Sequence, residues 1–291
     1  MTVSTLRLVL HGGAGVLPDR DYGPELTHMR GLIEAGRDRL LAGTSAVDVV
    51  TETIEALEAS GLYVAGRGSS PNRAGRYELD ASLMHGADQR LGAVAALQGF
   101  RSPIRAAREV LDAGEHVLLV AEGAGAFARE RRLTEIDDDG AWFTPAWRDA
   151  GMAPDDLRHG TVGCVALDGA GQLAAGTSTG GTFGKRPGRV GDTPIAGAGV
   201  WADERVAISC TGEGEMFIRA AAAAQIAFRL RLTGDGLAEA CAAALADVHR
   251  LSGDGGLIAL TAKGEIAAPF ITRGMKRAML GPGGAIEAAV F

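Results

Sequence analysis

Glycine makes up 43 of the 291 residues, about twice its usual share of ~7%, and no other feature restricts the fold as much. The glycines follow no three-residue period, which excludes a collagen-like chain. They gather at the ends of apolar runs, as in His11-Gly12-Gly13-Ala14-Gly15, where a fold with many tight turns and close backbone approaches needs them. Hydrophobic residues at 46% and charged residues at 22% exclude a disordered chain. Surface scaling lets a chain of this mass bury nearly three-quarters of its extended surface, so stability requires neither disulfide nor metal. The net charge of −7 opposes binding to a phosphate backbone, which would need a basic field. No apolar run approaches the 18 residues of a membrane span. Cys164, Cys210 and Cys241 are odd in number and far apart, as expected of buried thiols in a reducing compartment. The N-terminus enters a strand-like run without a basic leader. The expectation is a cytoplasmic enzyme-sized protein with neither nucleic-acid nor membrane partners.

The chain reads as mixed α and β. Residues 6–10 form a short apolar strand. Leu26, Met29, Ile33, Leu40 and Leu41 mark a helix over about 24–42, stopped at Gly43. A second helix starts at Ser45 with Asp48 as its capping partner. Ser102-Pro103 to Gly114 carries a cap, a proline at the first helical position and a terminal glycine. Val117 to Ala121 reads as a buried strand. Leu133 to His159 is polar and aperiodic, and predicts a long linker or functional loop. Beyond it, Thr161–Leu167 and Gln172–Thr179 flank a turn at 168–171 and predict a hairpin. Val206–Cys210 reads as a strand and Met216–Leu232 as one alanine-rich helix. Leu257–Thr261 and Glu265–Phe270 predict a second hairpin. Antiparallel hairpins in place of strict βαβ units favour stacked antiparallel sheets covered by helices.

Common catalytic signatures are missing: the sequence has no CxxC, HExxH or GxSxG. Position 179 is Thr where a P-loop needs Gly, and Gly184-Lys185 is followed by Arg186. His11 and His159 each stand beside a glycine and read as structural. More informative are hydroxyls and glycines recurring at strand ends: His159-Gly160-Thr161-Val162-Gly163, then Thr177-Ser178-Thr179-Gly180-Gly181, then Ser209-Cys210-Thr211-Gly212-Glu213-Gly214-Glu215. Between them lies Lys185-Arg186-Pro187-Gly188-Arg189-Val190-Gly191-Asp192. With HGGAG at 11–15, ELDASLM at 78–84 and GAVAAL at 92–97, these ordered blocks run nearly end to end. Together they resemble the plant-type asparaginases and isoaspartyl peptidases of the N-terminal nucleophile hydrolases.

The resemblance implies an α+β fold, a four-layer αββα sandwich, made as an inactive precursor that cleaves itself between Gly160 and Thr161. Residues 1–160 would become an α subunit, with a flexible linker at about 133–159. Residues 161–291 would become a β subunit, and the two together form one domain. Thr161 would be the nucleophile. Cleavage gives it an α-amine with a reference pKa of about 7.7–8.0, able to take the hydroxyl's proton; before cleavage that nitrogen is a non-basic amide. By the same resemblance, Thr179 polarises Thr161, while Thr211 and the N–H of Gly212 hold the oxyanion. Arg189 would grip a substrate carboxylate through its planar fork, and Asp192 with the backbone of Gly214 would receive the α-ammonium. The implied substrates are asparagine and isoaspartyl dipeptides. No catalytic cofactor is implied; a structural sodium ion is, on backbone carbonyls of Leu57, Glu58, Ser60, Tyr63, Ala65 and Arg67. Two αβ units would pair as (αβ)2.

Two positions depart from the pattern: Val64 and Ile271 stand where the family commonly shows asparagine. They motivate an alternative, a non-processing scaffold or binding relative. A glycosylasparaginase-like amidase is a further alternative, although such relatives typically carry Asp before the nucleophile and a secretion signal.

Overall fold

The computed structural model describes residues 6–144 and 160–291. In chain order these form β1 (Arg7–His11), α1 (Gly23–Leu41), α2 (Ala46–Ser60), β2 (Leu79–His85), β3 (Leu91–Leu97), α3 (Pro103–Ala113), β4 (Leu118–Val120), α4 (Ala121–Glu130) and α5 (Asp139–Trp142). The second half contributes β5 (Val162–Leu167), β6 (Leu173–Thr179), β7 (Val200–Ala202), β8 (Val206–Gly212), α6 (Gly214–Ala220), α7 (Ala222–Leu232), α8 (Leu237–Arg250), β9 (Gly255–Thr261), β10 (Ile266–Ala267), β11 (Arg277–Leu280) and β12 (Ile286–Ala289). One sheet runs β12-β11-β1-β5-β6-β2-β3-β4, the other β10-β9-β8-β7. All ladders are antiparallel except β3 with β4.

Strand alternation builds the layers. In β1, Leu8 and Leu10 join the core under α1–α4, whereas Val9 faces the second sheet. In β5, Val162, Cys164 and Ala166 face the helices while Val165 and Leu167 face the second sheet. In β8, Val206, Ile208 and Cys210 pack on α6–α8 and Ala207 faces inward. Both sheets are therefore buried on both faces, and their strands read as near-continuous apolar runs. The result is helices, sheet, sheet, helices, the αββα sandwich that the resemblance implies.

The same alternation aims the polar residues. Thr161 shares the inward parity of Val165, Thr179 that of Ala175, and Thr211 that of Ala207, so three threonines reach the space between the sheets from three different strands. Behind them, His11 Nε2 lies 2.9 Å from Ser209 Oγ, and Ser209 Oγ 2.8 Å from Thr177 Oγ1. Gly163 opposes His11 in the ladder. A Cβ there would stand 2.0 Å from Ser209 Oγ and 2.2 Å from His11 Nε2, so only glycine leaves room for this buried chain. Burial holds His11 down to about 3, and it stays neutral.

Several local expectations need correction. The helix expected over 216–232 is two helices, broken at Ala221, which adopts φ 48 and ψ 46. The break lets the first turn of α7 donate to another segment, Ala224 N to Gly197 O at 2.9 Å. Val117–Ala121 is no buried strand: β4 is the sheet's last strand, with Val120 54% exposed. The second hairpin is short, since its return strand ladders only at Ile266 and Ala267 and then reaches Pro269, which has no N–H to donate. The segment from 133 is not structureless at its start. Ile136 N donates to Gly99 O at 2.8 Å, Asp138 caps α5, and Phe143 stacks on Tyr77 with centroids 3.7 Å apart. The rest of that linker, His159 included, lies outside the described residues.

Helix α2 begins as expected, with Ser45 accepting from Asp48 N. Helix α3 does not use Ser102 as its cap. The Ser102 hydroxyl instead donates to Glu58, whose other carboxylate oxygen accepts Ile104 N at 3.0 Å. Among the described residues no helix is long and apolar enough to cross a membrane, and the three cysteines are buried and free.

Candidate active site

Register brings the first two threonines together. Val162 pairs with Ser178, so one step further Thr161 stands opposite Thr179, their hydroxyl oxygens 3.4 Å apart. Thr179 Oγ1 donates to the carbonyl oxygen of Gly160 at 2.7 Å and accepts from Gly181 N at 3.0 Å. With its proton committed to that carbonyl and an N–H entering its lone pair, Thr179 polarises the Gly160–Thr161 peptide bond. Thr161 is itself only 5% exposed. Gly160 sits against Val64: a Cβ at 160 would stand 2.1 Å from Val64 Cβ. Val64 is thus the wall behind this peptide. Its own carbonyl accepts Gly180 N at 3.0 Å, which ties it to the end of β6. Ile271 packs beside the core under α6–α8 and donates its N–H to Gly255 O.

A narrow hollow opens beside Thr161, lined by Gly160, Thr161, Thr179, Arg189, Asp192, Gly212 and Gly214 among others. Thr211 does not line it. That side chain is wholly buried, and its hydroxyl has no hydrogen-bond partner among the described residues. Gly212 does line it, with φ +157 and no room for a Cβ, which would stand 2.4 Å from Asp254 O. The helix following these residues, α6, has only seven residues, so its dipole is that of a short helix.

Arg189 and Asp192 both reach the hollow. The side edge of Arg189 is occupied: Nε and Nη2 donate to the two carboxylate oxygens of Glu215 at 2.9 and 2.7 Å. Asp192 is 4% exposed, and its Oδ2 has no hydrogen-bond partner among the described residues. Burial pushes its carboxyl up to about 7; Glu215 and Asp80 push the same way, against Arg189. Gly214 packs on it so closely that a Cβ would stand 2.8 Å from Asp192 Oδ1.

The backbone set from Leu57 to Arg67 surrounds the end of α2 and the turn after it. Gly61 closes the helix in the left-handed region at φ 75. Two glycines form a cradle: a Cβ at Gly68 would stand 2.0 Å from Tyr63 O and 2.9 Å from Gly61 O, and one at Gly66 would stand 2.6 Å from Glu58 O. Carbonyl oxygens are donors of the kind a hard cation takes, although Leu57 O, Tyr63 O, Ala65 O and Arg67 O each already accept a hydrogen bond here, from Ser60 Oγ, Ala65 N, Gly68 N and Thr144 N. Among the described residues no cluster of His, Cys, Asp and Glu forms a side-chain metal site.

Other residues support the site without having been singled out individually. Glu78 accepts Gly188 N at 3.0 Å through its carboxylate and Lys185 Nζ at 2.7 Å through its carbonyl, which fixes the loop that carries Arg189. Asp80 is fully buried and accepts Ala96 N at 2.7 Å; burial raises its pKa, while Lys185 opposes that rise. Glu58, pushed up to about 8 by burial, accepts from Ser178 Oγ at 2.6 Å, one residue before Thr179. The blocks at 78–84 and 185–192 contain Glu78, Asp80 and Lys185, yet only their contacts reveal what they do.

The asparaginase family model matches residues 4–150 and 143–289. The chain is similar to the isoaspartyl peptidase of Salmonella typhimurium, with 43% identity over 93% of this chain and 94% of that protein. It is also similar to the isoaspartyl peptidase of Escherichia coli, at 42% over 93% of this chain and 91% of that one. The plant-type L-asparaginase of Pyrococcus abyssi is 37% identical over 95% of this chain and 96% of its own length.

Proposed function

Because this chain belongs to the asparaginase family, we propose that it is an amidohydrolase that cleaves itself between Gly160 and Thr161 and then hydrolyses isoaspartyl dipeptides and L-asparagine to L-aspartate. The observation that carries the reading is the Thr179 hydroxyl donating to Gly160 O at 2.7 Å while lying 3.4 Å from Thr161 Oγ1. In the self-cleaving step Thr161 Oγ adds to the Gly160 carbonyl carbon, and the Thr179 donor stabilises charge developing on its oxygen. Collapse with rupture of the C–N bond leaves an ester and a free amine on Thr161; water then hydrolyses the ester. Residues 1–160 and 161–291 become two subunits of one domain.

The new amine completes the catalyst. It takes the proton of Thr161 Oγ, which attacks the side-chain carbonyl of the substrate. The N–H of Gly212, which borders the hollow, receives the oxyanion together with the hydroxyl of the adjacent Thr211, which is buried and has no hydrogen-bond partner among the described residues. The amine returns its proton to the departing ammonia or amino acid, and a water molecule hydrolyses the β-aspartyl ester. Arg189 holds the substrate's α-carboxylate, and Asp192 and Gly214 hold its α-ammonium. A buried carboxyl with one oxygen free of hydrogen bonds among the described residues is well suited to a cation that arrives with the ligand. A sodium ion on the 57–67 carbonyls would stiffen the loop that carries Val64 and takes no part in bond making. We also assign pairing as (αβ)2 and a cytoplasmic location to this reading.

Intact mass of purified protein tests it. The expected result is two fragments, 1–160 and 161–291, with Thr161→Ala remaining whole and releasing no ammonia from asparagine. A wild-type chain that stays uncut and inactive after long incubation refutes the proposal in favour of a scaffold role.

A further inference from the structure

We propose that Glu215 is a positioning residue for substrate recognition: it holds the side edge of the Arg189 guanidinium, so that the remaining end edge meets the substrate's carboxylate. The inference rests on the assignment of Arg189 as the carboxylate clamp. A guanidinium presents two forks, one formed by Nε with Nη2 and one by Nη1 with Nη2. Glu215 fills the first with both of its oxygens. Among the described residues Nη1 makes no hydrogen bond, and it lies over Gly191, where a Cβ would stand 2.9 Å away. Gly191 and Arg189 line the hollow beside Thr161, and Glu215 does not. Glu215 therefore grips Arg189 from outside, with its own side chain 56% exposed and the arginine 17% exposed. It does not occupy the place of a ligand.

Chain position makes the arrangement selective. Glu215 directly follows Gly214, and Gly214 packs on Asp192. The first two residues of α6 thus touch both halves of the clamp, Gly214 the carboxylate that meets the ammonium and Glu215 the guanidinium that meets the carboxylate. A short rigid helix start fixes the spacing between those two groups, and this spacing selects ligands whose two charges sit on one carbon. A bidentate ion pair also removes the rotamer freedom that a free arginine would lose on binding.

Three ligands separate this role from the other two that a half-exposed glutamate could play. Asparagine carries both charges, succinamate lacks the ammonium, and 3-aminopropanamide lacks the α-carboxylate. In the self-cleaved enzyme, Glu215→Gln is expected to raise KM for asparagine about tenfold with kcat within about twofold. The inhibition constant of succinamate rises by a similar factor, and that of 3-aminopropanamide changes less than about twofold. Glu215→Asp, too short to span both nitrogens, gives an intermediate KM. A lower KM in Glu215→Gln would make Glu215 a competitor for the fork and overturn the proposal. Uniform weakening of all three ligands, a loss confined to kcat, or no change at all would overturn it too. Where neither analogue inhibits, the division between KM and kcat on asparagine decides. Arg189→Ala is the separate check on the clamp: if it spares carboxylate-bearing ligands, the assignment of Arg189 fails whatever Glu215 does.

Discussion

Replacing Gly160 with alanine adds one methyl group at the peptide bond on which everything else depends. The new Cβ would stand 2.1 Å from Val64 Cβ and 2.3 Å from its Cγ2, short of ordinary carbon–carbon contact by about 1.3 Å. Val64 is held by the backbone bond from Gly180, so much of the displacement falls on residue 160. Moving the carbonyl by that amount stretches the 2.7 Å bond from Thr179 beyond hydrogen-bonding range. Loss of one preorganised oxyanion donor costs about 2.7–4 kcal/mol of transition-state stabilisation, so self-cleavage of Gly160→Ala should slow by a factor of about 10²–10³. Overpacking should also lower stability by about 1–3 kcal/mol. The assay is a time course of fragment appearance on denaturing gels after rapid purification, beside a thermal melt. Val64→Gly in the same chain removes the β-carbon and both γ-carbons and should restore much of the rate. Cleavage of Gly160→Ala at the wild-type rate would refute the reasoning, and so would a double variant as slow as the single one.

Asp192, pushed up to about 7, loses its charge as pH falls through that value, so KM for asparagine should rise on the acidic side of neutrality while kcat for bound substrate changes less. The sign for stability is opposite. A carboxyl whose folded pKa lies above its unfolded value of about 3.9 favours the fold when protonated, and that benefit is lost as pH rises from about 4 to 7. Asp192→Asn should therefore raise the melting temperature more at pH 8 than at pH 4, while abolishing turnover; an equal rise at both would refute the assignment. Thr211→Val, nearly isosteric and wholly buried, should lower kcat about 10²–10³-fold with self-cleavage intact on a gel. Equal loss of both steps would show that Thr211 serves packing alone.

Much of the site was legible because its chemistry is written in residue types at strand ends. Thr161, Thr179, Gly212, Arg189 and Asp192 all reach the same hollow, Thr161 and Gly212 from positions 51 residues apart. Their convergence follows from alternation: each threonine shares parity with an apolar neighbour that faces the other sheet. Side-chain partners across long separations had no sequence signal. Glu215 beside Arg189, Glu78 beside Gly188 and Glu58 beside Ser178 are acidic residues that in sequence look like ordinary solvated charges. Elements failed where the local signal was uniform. Alanine-rich 216–232 reads as one helix because nothing in its composition marks Ala221 for the left-handed region; the turn at Gly197, which accepts the freed N–H of Ala224, imposes the break. Phe143 left a polar-looking loop because Tyr77, far away in sequence, offers it a ring to stack on.

The order of strands in the larger sheet has a mechanical consequence. From one edge to the other it takes two strands from beyond residue 160, one from before it, two from beyond, then three from before. Three of its lateral seams, β11 with β1, β1 with β5, and β6 with β2, therefore stitch the two halves of the chain to each other. Severing the thread between them releases an end without loosening the cloth. The second half holds the smaller sheet whole, but neither half holds the larger one, so the pieces should stay joined through chromatography and part only in denaturant. Fragments made in separate cells would have to reweave that interleaving from unpaired edges before any threonine found its neighbours.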